Sequence, residues 1–404
     1  MGTSLLTNQS AMNALQTLRS IGDNMDTTQR RVSTGLRINE ASDNTAYWSI
    51  SSMMKSDRNA LSSVSDAMAL GKSQIDVANA TIDKSKDYLD NIQKSLTTAY
   101  EKGSGDVAKI QADIKANMND IQSSVYSASL AEKNILGNSG ESVRIAGSYR
   151  REGSNVYVDM IDVGGADLNF ATKKADGTFD LSKGVLQSVF GTGFAASAPS
   201  DPGAQEENPA PATPAADDPA GLKALDATLV SAQSKYAQAQ SDLTAAKAAA
   251  AANPGDATLQ TAVTTAQGNV TSTKSAVDNA LKPIVEAAGK MTVMDFVNTN
   301  FSGISSSTME QVLKAVQSKV TTATSNVVTA GATLGAAKAQ VTGQIDYVSK
   351  LMDAVDKGVG SLVDADMNAE SARLASLQVQ QQLGIQALSI ANQNSQNILS
   401  LFRQ

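Results

Sequence analysis

Apolar residues recur every three or four positions over long stretches of the chain, which is the pattern of helices packed side by side at small angles. The longest stretch predicts one helix over about residues 43–102, and only Asp57, Gly71 and Ser85 interrupt its register. Its seam consists of Met54, Leu61, Val64, Met68, Ile75, Ala78, Ile82, Leu89, Ile92, Leu96 and Ala99. A rod of roughly 90 Å, at about 1.5 Å per residue, cannot bury this seam alone, so other long helices must lie beside it.

Two further segments predict helices that can cover this rod. One begins at Asp106 and places Ile110, Ile114, Ile121 and Val125 on one face. The other begins at a capping-box pattern, Ser307 with Glu310, and keeps the same apolar spacing to about residue 355. Segments from distant parts of the chain are therefore predicted neighbours in one bundle.

Both ends of the chain also predict helices. The N-terminal helix offers Met12, Leu15, Leu18, Met25 and Val32 as its seam. The C-terminal seam consists of Val363, Met367, Leu374, Leu377, Gly384, Leu388, Ala391, Ile398 and Phe402, and away from it lie Val379, Leu383, Ile390 and Leu401. The last helix thus has more apolar surface than one contact face requires. We expect the surplus to meet other copies of the chain.

The middle of the chain changes pattern. Residues 142–148 and 155–161 flank a Gly/Arg/Glu turn and predict a β-hairpin. Residues 195–221 are dense in Ala, Pro, Asp and Glu, which predicts an exposed linker.

A pair of antiparallel helices is predicted after this linker. Asp218 and Pro219 suit a helix start, and Asn253–Asp256 is a turn between two arms that end near residue 284. An isolated helix pair is only marginally stable. We therefore expect it to lie against residues 166–194 or against the same pair of a neighbouring copy.

The predicted fold is mainly α: a long-helix coiled-coil bundle built from both chain ends, with a β-hairpin and an inserted outer α+β domain that contains the helical hairpin. Three domains are expected. They are residues 1–42 with 362–404 as a terminal coiled coil, 43–163 with 304–361 as the long-helix bundle, and 164–303 as the outer domain. The outer domain is expected to add no helix to the bundle and to be dispensable for assembly with other copies of the chain.

Composition argues against an enzyme. The chain is 41% apolar but only 4% aromatic, so its core is aliphatic. It contains no Cys and no His, which removes thiolate nucleophiles, Cys/His zinc sites and the usual general base at neutral pH. Asp364 and Asp366 lack a third ligand and are better interpreted as helix caps. We expect no catalytic residue, no cofactor and no metal.

The net charge and the hydropathy of the chain limit the kinds of partner and location that it can have. A net charge of −7 argues against a nucleic-acid partner. No apolar run reaches the roughly 18 residues of a membrane span. Residues 1–20 lack the basic start and apolar block of a Sec signal, so an extracellular location would require export without a cleaved Sec signal.

Two stretches resemble the signatures of bacterial flagellins. Residues 29–50, QRRVSTGLRINEASDNTAYWSI, resemble the N-terminal signature, and the residues from Asp43 to Trp48 depart from its usual form in the manner of the rhizobial group. Residues 362–403 resemble the C-terminal signature in Asp364-Ala-Asp366, Gln378 to Gln382, Ala391 to Gln393 and Gln396 to Arg403. With the flanking helices, the resemblance covers roughly residues 1–140 and 305–404.

The resemblance implies a structural subunit of the extracellular flagellar filament. The chain ends would pair as a coiled coil around a central channel, and the middle would face outward. Implied partners are other copies or paralogues, the flagellar export apparatus with a chaperone, the filament cap, hook–filament junction proteins and host immune receptors. A hook–filament junction protein and a secreted coiled-coil adhesin are the alternatives.

The candidate assembly interface consists of Leu15, Leu18, Arg30, Arg31, Arg37, Asp43, Trp48, Leu374, Leu377, Leu383, Leu388, Ile390, Ile398 and Leu401. Its charged members form either ion pairs between subunits or a solvated turn. Trp48, the only Trp, is either an interface hot spot or a packing anchor at the base of the long helix.

Overall fold

The computed structural model describes residues 8–102, 106–153, 155–174, 178–193 and 221–401, without side chains at 101, 102 and 394–401. The predicted mainly α fold is confirmed. In chain order the elements are α1 (Gln9–Thr34), α2 (Thr45–Lys102), α3 (Val107–Ser127), β1 (Ser142–Glu152), β2 (Asn155–Gly164), β3 (Thr172–Lys173), β4 (Phe179–Asp180), α4 (Gln187–Phe190), α5 (Leu222–Ala252), α6 (Ala257–Lys290), α7 (Val293–Asn298), α8 (Ser306–Val363) and α9 (Met367–Leu401). β1 pairs with β2 as predicted, and β3 pairs antiparallel with β4.

The chain forms two compact units. The terminal unit contains the described residues within 1–66, 148–159 and 344–404, and the central unit contains the described residues within 67–147 and 160–343. The division into three domains stays a prediction.

The predicted bundle is present in the central unit. The seam of α2 is buried from Met68 to Ala99, and the seam of α8 is buried from Met309 to Val341. The ammonium of Lys338 on α8 lies 2.6 Å from the carboxylate of Asp76 on α2. Helices from distant parts of the chain therefore pack together, as their shared spacing predicts.

Gly71 interrupts the seam of α2 because a strand passes over it. A methyl group at Gly71 would lie 2.4 Å from Cγ2 of Ile145, a buried residue of β1. The β-branched side chain of Ile145 cannot easily turn away. The glycine therefore allows β1 to approach the helix closely.

We expect Gly71→Ala to destabilise the central unit by about 1–3 kcal/mol through overpacking, although alanine ordinarily favours a helix. The matched control is Gly335→Ala in α8, where a methyl group meets nothing within 4 Å and should stabilise. Thermal unfolding followed by circular dichroism measures both. Equal melting temperatures for the two variants would show that Ile145 does not restrict this position.

The start of α8 differs from the prediction. Ser305, not Ser307, caps the helix, because its hydroxyl accepts a hydrogen bond from the N–H of Thr308 at 3.4 Å. The hydroxyl of Ser307 accepts instead from the amide of Gln233 on α5, at 3.1 Å. The Ser307–Glu310 capping box was wrong because a contact distant in sequence takes its hydroxyl.

Residues of the predicted outer domain form hydrogen bonds with helices of the bundle. Ser188 donates a hydrogen bond to the carbonyl of Lys319 on α8 at 3.0 Å, and Tyr126 on α3 donates to the carbonyl of Phe179 at 2.7 Å. The amide of Gln111 on α3 donates to the carbonyls of Phe296 and Thr299, at 2.6 and 2.9 Å. Residues 164–193 and α7 are therefore part of the central core.

The helical hairpin formed by α5 and α6 is confirmed, with its turn at Asn253–Asp256. The predicted start at Asp218 and Pro219, and all but the last residue of the predicted linker, lie outside the described residues. The second arm passes through Pro283 and ends at Lys290, beyond the predicted end.

The base of this hairpin packs against the start of α8. The buried carboxylate of Asp226 accepts hydrogen bonds from the N–H of Ser305, at 3.0 Å, and from its hydroxyl. Among the residues predicted to cover the hairpin, Phe179 contacts Tyr126 on α3, with ring centroids 5.5 Å apart. The hairpin is thus held at its base.

Candidate assembly interface

The two ends of the chain pair through α1 and α9. The covered face of α9 follows a strict 3-4 spacing and consists of Glu370, Leu374, Leu377, Gln381, Gly384, Leu388 and Ala391. Leu377 is its most buried member, at 7% exposure. A methyl group at Gly384 would lie 2.9 Å from Leu18 on α1, and the amide of Asn8 donates to the carbonyl of Ala391 at 3.0 Å. The structure therefore brings Leu18, Leu374, Leu377 and Leu388 together within one subunit.

The covered face of α1 differs from the predicted seam. It consists of Ala11, Ala14, Leu18, Ile21, Met25 and Thr28. Met12 and Leu15, which were predicted on this seam, are exposed. The small side chains of Ala11 and Ala14 let the backbones of α1 and α9 approach closely. The larger side chains of Met12 and Leu15 would hold the two helices farther apart. Ile21 and Thr28 were missed, although both continue the 3-4 spacing from Leu18.

The turn after α1 is fastened to the connection between α8 and α9. Gly35 ends α1 with a φ of 73°, a conformation that favours glycine, and its carbonyl accepts from the N–H of Ala365 at 2.9 Å. Arg37 donates its N–H to the carbonyl of Val363 at 2.6 Å, and its guanidinium to that of Leu362 at 2.9 Å. Arg37 therefore acts within the subunit.

The other charged candidates also have partners within the subunit. Arg31 on α1 pairs with Glu370 on α9 at 3.2 Å in a partly buried site, and Arg30 pairs with Glu40 at 3.2 Å in solvent. The carboxylate of Asp43 accepts from the N–H groups of Asn39 and Glu40, and these bonds lower its pKa. Exposed pairs contribute little to stability, so Arg31–Glu370 is the stronger link between the chain ends.

The acidic pair near the start of α9 divides into two roles. Asp366 caps α9 as predicted, because its carboxylate accepts from the N–H groups of Asn368 and Ala369. Asp364 instead forms an isolated β-bridge with Leu36.

Among the described residues, no cluster of acidic side chains is arranged to hold a metal ion. No helix in the described ranges is long and apolar enough to span a membrane.

The remaining candidate interface residues face solvent, or their side chains lie outside the described part of the structure. Leu15, Leu383 and Ile390 are exposed, and the side chains of Ile398 and Leu401 are outside the described part of the structure. Trp48 keeps 40% of its surface exposed, so packing within the subunit does not cover it. This exposure weakens the packing-anchor interpretation.

The chain is similar to known proteins along its whole length. Residues 5–140 match the family model of the bacterial flagellin N-terminal helical region, and residues 317–402 match that of the C-terminal helical region. A flagellin of Bartonella bacilliformis is 47% identical over 96% of this chain and 97% of that protein. Flagellin A of Rhizobium meliloti is 37% identical over 99% of this chain and 100% of that protein. A flagellin of Brucella melitensis is 34% identical over 99% of each chain.

Proposed function

Because this chain belongs to the bacterial flagellin family, whose members are structural subunits of the flagellar filament, we propose that exposed apolar side chains of α1 and α9 join neighbouring subunits. These side chains, the terminal apolar face, are Met12, Leu15, Val379, Leu383, Ile385 and Ile390. They are between 42% and 66% exposed although α1 and α9 already pair with each other. This surplus apolar surface is the observation that carries the proposal.

The charge pattern supports the same proposal. Between Arg373 and Arg403 the sequence contains no charged residue, so copies that meet along α9 experience no like-charge repulsion there. The polar side chains in this stretch are Gln, Asn and Ser, which can hydrogen-bond across a contact at little desolvation cost compared with a charge. Nothing in the structure or the comparisons favours a hook–filament junction protein or an adhesin.

We expect Ile390→Asp to raise the critical concentration for polymerisation roughly tenfold or more, because the new charge must be desolvated in the contact. The matched control is Ser389→Asp, which adds the same charge at an adjacent exposed position without removing an apolar side chain. The critical concentration of each variant is measured by adding seeds to depolymerised protein and sedimenting the polymer that forms. If the two variants polymerise like the parent, the terminal apolar face is not the contact.

The family also supports finer expectations about partners and export. We propose that the flagellar export apparatus carries the chain with a chaperone, without removing a Sec signal, and that the filament cap and hook–filament junction proteins contact it. Host immune receptors that bind flagellin are further candidate partners. The mass of the N-terminal peptide from purified filaments tests the export route, since loss of a leader would contradict it.

A further inference from the structure

The exposed methionines of this chain are concentrated in the terminal unit. Among the described residues, the methionines with between 43% and 60% of their surface exposed are Met12, Met53, Met160 and Met367, and all but Met160 lie in the terminal unit. The methionines with 2% exposure or less all lie in the central unit, and they are Met68, Met118, Met291 and Met309. An oxidant in solution can therefore reach sulfur in the terminal unit, while the central core shields its own thioethers.

Met12 is the most exposed of these methionines, at 60%, and it belongs to the terminal apolar face. Two contacts between α1 and α9 lie on either side of it along α1. They are the hydrogen bond from Asn8 to the carbonyl of Ala391, and the close approach of Leu18 to Gly384. The sulfur of Met12 can therefore react with a small molecule while the two helices stay paired.

A peroxide is the class of reagent that matches this sulfur. A lone pair of the Met12 Sδ atom attacks one peroxide oxygen, the O–O bond breaks and an S–O bond forms. The sulfur loses two electrons, and hydrogen peroxide is reduced to water. The product is a sulfoxide, which is polar where the thioether was apolar. The other members of the terminal apolar face are leucine, isoleucine and valine, which carry no atom that reacts in this way.

We propose that oxidation of Met12 to the sulfoxide excludes a subunit from the filament. The inference rests on the proposed contact through the terminal apolar face and names a way in which that contact is regulated. A sulfoxide buried in the contact must give up its hydrogen bonds to water, and burial of an unpaired polar group is unfavourable. Enzymatic reduction of the sulfoxide restores the thioether, so the exclusion is reversible.

Fractionation of partly oxidised subunits tests this proposal on the natural chain. Depolymerised protein is treated with dilute hydrogen peroxide, seeded and sedimented, and peptide mass spectrometry measures the sulfoxide in pellet and supernatant. Met12 sulfoxide should be several-fold depleted in the pellet. Sulfoxide at Met367, an exposed position outside the terminal apolar face, should be distributed equally. Reductases for both sulfoxide epimers should return the excluded subunits to the polymer.

A matched pair of variants isolates Met12 from the other exposed methionines. The triple variant Met53→Leu, Met160→Leu and Met367→Leu keeps Met12 as the only exposed methionine among the described residues, and the quadruple variant adds Met12→Leu. Both should polymerise like the parent before oxidation. Peroxide should raise the critical concentration of the triple variant roughly tenfold and leave that of the quadruple variant unchanged.

Three results would overturn the proposal. They are equal amounts of Met12 sulfoxide in pellet and supernatant, equal sensitivity of the two variants to peroxide, and loss of helical circular dichroism on oxidation, since unfolding would then explain the exclusion. The Ile390→Asp variant separates this failure from a failure of the proposed function. If it still prevents polymerisation, the contact through the terminal apolar face stands without regulation at Met12.

Discussion

Subunits that carry Leu377→Asp are expected to form no filaments. Leu377 is the most buried side chain on the face of α9 that meets α1, so a carboxylate at this position would lose its hydration. An uncompensated buried charge costs several kcal/mol. A pair of helices has little stability to spare, so we expect the chain ends to separate and the terminal apolar face to be lost with them.

Electron microscopy and sedimentation after seeding measure this result. Gln378→Asp is the matched control, because it adds the same charge at the adjacent exposed position and should polymerise normally. Leu388→Asp should be intermediate, since Leu388 is only half-buried in the same seam. Normal filaments from Leu377→Asp would show that pairing of α1 with α9 is not required for assembly.

Deletion of residues 164–302 is expected to prevent the central unit from folding, the reverse of what the sequence pattern predicts. It removes the fully buried Phe170 and Phe296, together with the hydrogen bonds that join Ser188 to α8 and Phe296 to α3. Loss of each such aromatic side chain costs about 3–5 kcal/mol, so the two together approach the whole stability of a typical domain.

A shorter deletion distinguishes the contribution of this core to stability from that of the exposed arms of the helical hairpin. Removing residues 239–252 and 257–270 takes two heptads from each arm, and it keeps the Asn253–Asp256 turn and the buried base at Leu222, Asp226 and Ile284. The melting temperature of the bundle should then change little. A folded, cooperative transition in the 164–302 deletion would contradict the assignment of these residues to the core.

Several features follow from the sequence by itself. The seams of α2 and α8 keep one register over many turns, and such a long register has few alternative interpretations. The turn at Asn253–Asp256 and the cap at Asp366 depend on residues close in sequence, so local chemistry determines them. The two terminal signatures indicate the family because they are specific and stand in the correct order.

Other features were decided only by the tertiary structure. On α1, the Ala11–Ala14 stripe and the Met12–Leu15 stripe both lead to Leu18, and the close approach of α9 at Gly384 selects the smaller residues. The interruptions at Asp57 and Gly71 have their reason in β1, which supplies Tyr149 and Arg151 to the first and Ile145 to the second. Periodicity along a helix shows which positions can face a partner, but the partner is supplied by residues far away in the chain. The choice among compatible faces therefore depends on which packing fits in three dimensions.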